Sequence, residues 1–327
     1  MAHPAVADRI AEPHTPSSAA PWYIWCLLAA VTSNIAGVFW DIAWHRSIGR
    51  DEFWTPAHVL IYLCGVLAGI ACGYLILRAT FEPRGELAAA SVRVLGFRGP
   101  LGAFVAAWGG IAMLVSAPFD DWLHNAYGLD VKVLSPPHVV LGGGMIAVCA
   151  GTLLLILGFR NRAAASGDRA RVRVYEWMFL YVGGLLVTSL QLLTVELTYR
   201  TMAHSGKFFR TVALTAPILL IGIAGSLPRR WGATTIAGIY TLLWCAQLWI
   251  LPLGPAEPKL GPVYVPVTHF IPLDFPLLLL PAAAAVDMVR GRLRDRGVWV
   301  RSIAVGLTFL AVFFLVQWPF SNFYLKS

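Results

Sequence analysis

Long apolar runs joined by short polar links dominate this chain. Nine stretches, near 22–44, 54–79, 98–119, 135–159, 174–199, 209–227, 232–253, 270–289 and 298–320, carry little charge inside them. Each is long enough, as a helix, to cross a hydrocarbon core about 30 Å thick. Barrel strands would be about half that length and would alternate apolar with polar residues. With no water at that depth, backbone groups must be satisfied within a segment, which selects helix. The pattern predicts an all-α, polytopic integral membrane bundle of about nine transmembrane helices. It divides into a polar cytoplasmic tail over 1–20, a four-helix region over 21–160 and additional transmembrane helices over 161–327.

Composition agrees: 58% of the 327 residues are hydrophobic and 13% charged, far too apolar for a soluble domain. The cations are not evenly spread. Arg78, Arg84, Arg93 and Arg98 lie in or beside the second loop, and Arg160, Arg162, Arg169, Arg171 and Arg173 crowd the fourth. Arg229 and Arg230 fill the sixth, and Arg290, Arg292, Arg294 and Arg296 the eighth. The positive-inside rule then puts the even loops and the N-terminus in the cytoplasm of a bacterial inner membrane. This bias explains the net charge of +8, so no nucleic-acid partner is needed. The tail holds Asp8, Glu12 and several prolines, with no apolar core before residue 20, unlike a cleaved signal peptide. Five cysteines are scattered through apolar segments without a CxxC or CxxCH spacing, which leaves disulfide scaffolding and covalent c-type haem unsupported.

Against this background two polar frames stand out in the four-helix region. The first is Asp41-x3-His45-x3-Gly49-x-Asp51-x3-Thr55-Pro56-x-His58. The second is Asp120-x3-His124-x3-Gly128-x-Asp130-x4-Ser135-Pro136-Pro137-His138. Acids and imidazoles are costly near a bilayer, so a repeated set of them is a functional signal. Asp41 and His45, one turn apart, share a helix face with Asn34 two turns back. Asp120 and His124 repeat that geometry, while Asp121 is rotated about 100° away. Thr55-Pro56 and Ser135-Pro136 read as helix starts, with an N-cap hydroxyl and proline at the first position. His58 and His138 then fall in a first turn, where the helix dipole disfavours imidazolium. Neutral imidazole is the metal-binding form. Each frame brings a carboxylate and a His from one helix against a His from the next, a set suited to copper, zinc or non-haem iron. Asp51 and Asp130 are placed to orient such ligands. An interfacial hairpin duplicated for capping would account for the Thr/Ser-Pro elements but not for Asp-x3-His.

The stretch Trp44-His45-x4-Arg50-Asp51-x3-Thr55-Pro56-x-His58, with Asp41 ahead of it, resembles the metal-binding segment of the C subunit of copper membrane monooxygenases. These are the particulate methane, ammonia and short-alkane monooxygenases. In that family an Asp-x3-His-x12-His set binds copper, matched here by Asp41, His45 and His58. The family's second site, Asn-x3-His-x13-His, is similar in spacing to Asp120, His124 and His138, with Asp in place of Asn. The likeness covers residues 34–62 and, by spacing only, 113–140. It implies copper, O2, a small apolar substrate taken from the bilayer, and other membrane monooxygenase subunits as partners.

Glu196, near the outer end of the fifth span, is an auxiliary acid, a proton relay or a ligand, or the partner of Arg200 at i+4. His269 reads as a surface residue. The Gly142-Gly143-Gly144 run suits close helix approach rather than phosphate binding. Two other functions fit the composition. A copper or zinc transport or insertion protein would stage ligands across the membrane, yet the inner halves of the spans hold no His. A b-type haem or quinone protein would use facing histidines such as His58 and His138, leaving the Asp-x3-His pairs unexplained.

Overall fold

A computed structural model describes residues 20–49, 52–82, 84–89, 91–127, 135–259, 261, 263 and 265–327. The long helices are α1 (Trp22–Ser47), α2 (Pro56–Phe81), α4 (Leu101–Tyr127), α5 (Pro136–Ala165), α6 (Arg169–Leu193), α7 (Gly206–Gly225), α8 (Gly232–Ile250) and α10 (Val298–Phe323). All eight are long and apolar enough to cross a membrane. Between them lie a short α3 (Glu86–Ala89), a hairpin of β1 (Val92–Val94) and β2 (Phe97–Gly99), and α9 (Leu279–Arg292). The protein is an all-α polytopic bundle.

Side-chain contacts define its two ends. At one, Glu176 at the start of α6 pairs with Arg160 of α5 and Arg229 of the α7–α8 link, at 2.9 and 2.8 Å. At the other, Arg46 reaches Asp274 and the ring of Tyr199, and Lys259 N–H donates to the Ile48 carbonyl. These are the arginine end and the histidine end. Trp22, Trp54 and Trp122 are exposed at span termini, as expected of aromatic belts.

Lipid gives no hydrophobic push between helices, so close packing through small residues holds them together. The α4–α5 contact shows this. A Cβ on Gly102 would lie 2.4 Å from the Gly151 carbonyl, and one on Gly144 would lie 2.7 Å from the Gly109 carbonyl. Of the expected glycine run, Gly142 packs on Leu193 and Gly144 on Gly109, while Gly143 faces open space.

Two local expectations need correction. The stretch 98–119 does not open as helix. Residues 92–99 form a hairpin whose turn residues Leu95 and Gly96 both have positive φ (49° and 85°), the signature of a type I′ turn. Thr80 Oγ1 accepts the Arg98 N–H and ties the hairpin to α2. α4 then starts at Leu101 and runs through Pro118 to Tyr127.

The stretch 270–289 is not one helix either. Residues 270–278 form no regular element, and α9 is only 14 residues long, about 21 Å. Pro272 and Pro276 remove donors and bias the residues before them away from helix. Irregular backbone at membrane depth is tolerated only inside protein, and here neighbouring side chains satisfy it. Ser47 Oγ accepts from Ile271 N, Gln247 Oε1 from Leu273 N, Tyr240 OH from Leu277 N and Gln317 Oε1 from Leu278 N. Trp244 Nε1 donates to the Asp274 carbonyl and Arg46 Nη1 to that of Pro272.

Candidate metal centre

α1 ends at Ser47 and α4 at Tyr127, so Asp41, His45, Asp120 and His124 sit in the last turns of their helices. His58 and His138 lie in the first turns of α2 and α5. Ser135 caps α5, its hydroxyl accepting the His138 N–H at 3.4 Å. Thr55 holds the equivalent position on α2 but does not cap it. Its hydroxyl instead accepts from Glu52 N and donates to Glu52 O.

In the second frame Asp120 bridges the two imidazoles. Its oxygens lie 3.6 Å from His124 Nε2 and 3.5 Å from His138 Nε2. One donor atom from each of the three residues falls within 4.8 Å of the others, close enough to hold a metal ion. Donor atoms sharing a metal at about 2.1 Å stand roughly 3.0–3.5 Å apart, so modest contraction would complete the set. The group is half-buried.

The first frame has the same plan with less even spacing. Asp41 Oδ1 lies 3.1 Å from His58 Nε2 and 3.9 Å from His45 Nε2. His58 Nδ1 is 3.0 Å from the Glu52 carbonyl, which can only accept, so Nδ1 carries the proton. In neutral His58 the Nε2 lone pair then points at a carboxylate oxygen. A second proton or a cation must lie between them, and an Nδ1–H held by a carbonyl is the usual support of a metal-ligating His. Asp41 Oδ1, Asp120 Oδ1 and His124 Nε2 are all shielded from solvent without a hydrogen-bond partner among the described residues. Acceptors gathered in this way fit a cation.

Both frames open into one cavity of about 440 Å³. All six frame residues line it, with Asn34 at its depth. Asn34 is 1% exposed and its Oδ1 is also unsatisfied. The rest of the wall is largely apolar, including Ile35, Val38, Ile61, Leu141, Met145 and Leu192. Tyr62 lies beside His58 with its ring tilted by 36° and centroids 5.9 Å apart.

The auxiliary residues divide. Asp121 is exposed and bonds to Asn125 away from the cavity. Glu196 lies in a 3-10 turn beyond α6, outside the cavity lining, and has no ion pair with Arg200 among the described residues. Arg50, Asp51 and Asp130 lie outside the described residues. His269 is exposed and bonded to Thr268, the surface role expected. Sequence reading missed the contribution of α6, whose Ser189 and Leu192 line the cavity. No frame signal marks them, since only packing of α5 on α6 brings them in.

Comparison with protein-family models, curated proteins and solved structures gives no match. The molecule is a membrane-type helical protein with an Asp/His/His group able to hold a metal.

Proposed function

We propose that this protein is an integral-membrane metalloenzyme of the copper monooxygenase type, oxidising a small apolar substrate with O2. The observation that carries this reading is the three-donor group Asp120, His124 and His138 in the wall of a largely apolar cavity. Asp41, His45 and His58 are the second donor set in the same wall. The residues suit copper, with zinc and non-haem iron the less favoured occupants. Copper bound there would supply one-electron redox chemistry that side chains lack. The chain's own residues do the rest. The imidazoles and carboxylates set the coordination, the Glu52 carbonyl orients His58, and the apolar wall holds substrate and excludes water.

Transport finds less support. Glu176 and Asp287, the buried acids near the arginine end, are held by arginines and by Thr234, so neither stands as a metal ligand on a path towards that side. A bis-histidine haem would have to pull His58 and His138 from Asp41 and Asp120.

The test is metal content and electron paramagnetic resonance of the detergent-purified protein, with and without copper loading. It is joined to O2 consumption with a reductant and a short alkane. Wild type should bind copper, and His124→Ala should lose turnover and the signal of the Asp120 site. Binding that is indifferent to His124 would overturn the proposal.

A further inference from the structure

The arginine end holds a second cavity, of about 740 Å³, unrelated to the histidines. Three elements turn arginines into it. The α7–α8 link gives Arg229 and Arg230, the end of α9 and the turn after it give Arg290, Arg292 and Arg294, and the first turn of α10 gives Arg301. Arg229 is held by Glu176 at 2.8 Å, and Arg230 lies over the Trp231 ring. The other four have no carboxylate within 4.0 Å among the described residues. Four arginines thus line one hollow without an ion pair among the described residues.

The one acid in the lining, Asp287, is 1% exposed. Its Oδ2 accepts from Thr234 N and Oγ1, both at 2.8 Å. Its Oδ1 is buried without a hydrogen-bond partner. The lining therefore offers many donors for an anion and one buried acceptor for a hydroxyl. A positive-inside bias explains arginines at this end. It does not explain their gathering around a cavity, nor the unsatisfied acceptor among them. A bare phosphate would leave that acceptor unmatched and fill little of the volume.

We infer that this cavity binds a phosphodiester with a hydroxylated head, the chemistry of a glycerol phosphate diester. The arginines take the phosphate oxygens through charge-assisted hydrogen bonds. A head-group hydroxyl donates to Asp287 Oδ1. The same chemistry has two sources: an anionic phospholipid of the adjacent leaflet, or a soluble glycerophosphodiester. Val298, Trp299, Val300 and Ile303 of α10 stand exposed beside the cavity, an apolar surface on which acyl chains would lie.

The experiment is native mass spectrometry of the full-length protein in detergent with phosphatidylglycerol. Phosphatidylethanol serves as the equally charged lipid without hydroxyls, and glycerophosphoglycerol as the soluble head. Wild type should retain phosphatidylglycerol over phosphatidylethanol. Arg292→Gln/Arg294→Gln, both exposed positions, should weaken retention about tenfold, and Asp287→Asn should narrow the preference between the two lipids. If the pair fails to purify, Arg294→Gln alone gives the readout, in the same direction. Arginine-dependent binding of glycerophosphoglycerol without lipid retention would support the site with a soluble ligand. Retention unchanged by the arginine variants, or equal for both lipids in wild type, would overturn the inference.

Discussion

Ser47 Oγ accepts the backbone N–H of Ile271 at 2.7 Å, across 224 positions of chain. Ser47 lies two residues beyond His45, and Arg46 between them donates to the Pro272 carbonyl at 2.9 Å. The irregular segment 270–278 is therefore a brace on the helix end that carries the first frame. A break in the brace would be felt at His45.

Gln247 holds that brace in both directions: it accepts from Leu273 N at 2.9 Å and returns a longer bond to Leu273 O. Gln247→Leu keeps the volume but leaves a buried amide unsatisfied, a loss of about 1–3 kcal/mol. Thermal unfolding in detergent should show a lower midpoint with helix content unchanged. An unshifted midpoint would mean the segment is held by other contacts.

The glycine contact between α4 and α5 sets the distance from Asp120 to His138. Gly144→Leu places a side chain where a Cβ already meets the Gly109 carbonyl at 2.7 Å. The overpacking should cost about 1–3 kcal/mol and weaken metal binding at Asp120, His124 and His138. Gly143→Ala, one residue away and facing open space, should leave both properties unchanged. Equal behaviour of the two variants would show that helix spacing is not set here.

The two frames line one cavity but have separate carboxylates. His124→Ala and His138→Ala should remove metal bound with Asp120 while leaving the His45/His58 signal. His45→Ala should do the reverse. Equilibrium dialysis with spectroscopy on each variant separates the cases. If one substitution abolishes both signals, the frames form a single shared centre.

The arginine bias predicts that the histidine end faces outward. Asn125→Cys at the exposed end of α4 should react with an impermeant maleimide in intact cells. Ser166→Cys, exposed beyond α5, should react only after permeabilisation. The opposite pattern would invert the topology.

Helix positions were legible because lipid crossing imposes length and apolarity on each segment. Asp41 to His45 and Asp120 to His124 were legible because a spacing of four fixes a shared helix face. Three things were not. The 270–278 stretch is as apolar as a helix; Pro272 and Pro276 mark where it breaks, but the acceptors on α1, α8 and α10 that make an irregular path possible appear only in the fold. The part played by Ser189 depends on packing of α6 on α5, which no local pattern encodes. Thr55 has the chemistry of a cap, but Glu52 competes for its hydroxyl and wins.

One acceptor of segment 270–278, Gln317, belongs to α10, 39 positions after the Leu278 N–H it receives. During synthesis that amide emerges before its partner exists, whereas Ser47, Gln247 and Tyr240, which accept from Ile271, Leu273 and Leu277, precede the segment in the chain. The part of the brace that touches the His45 helix can therefore close as it is made, and only its Leu278 end waits for the final span, the last latch of assembly.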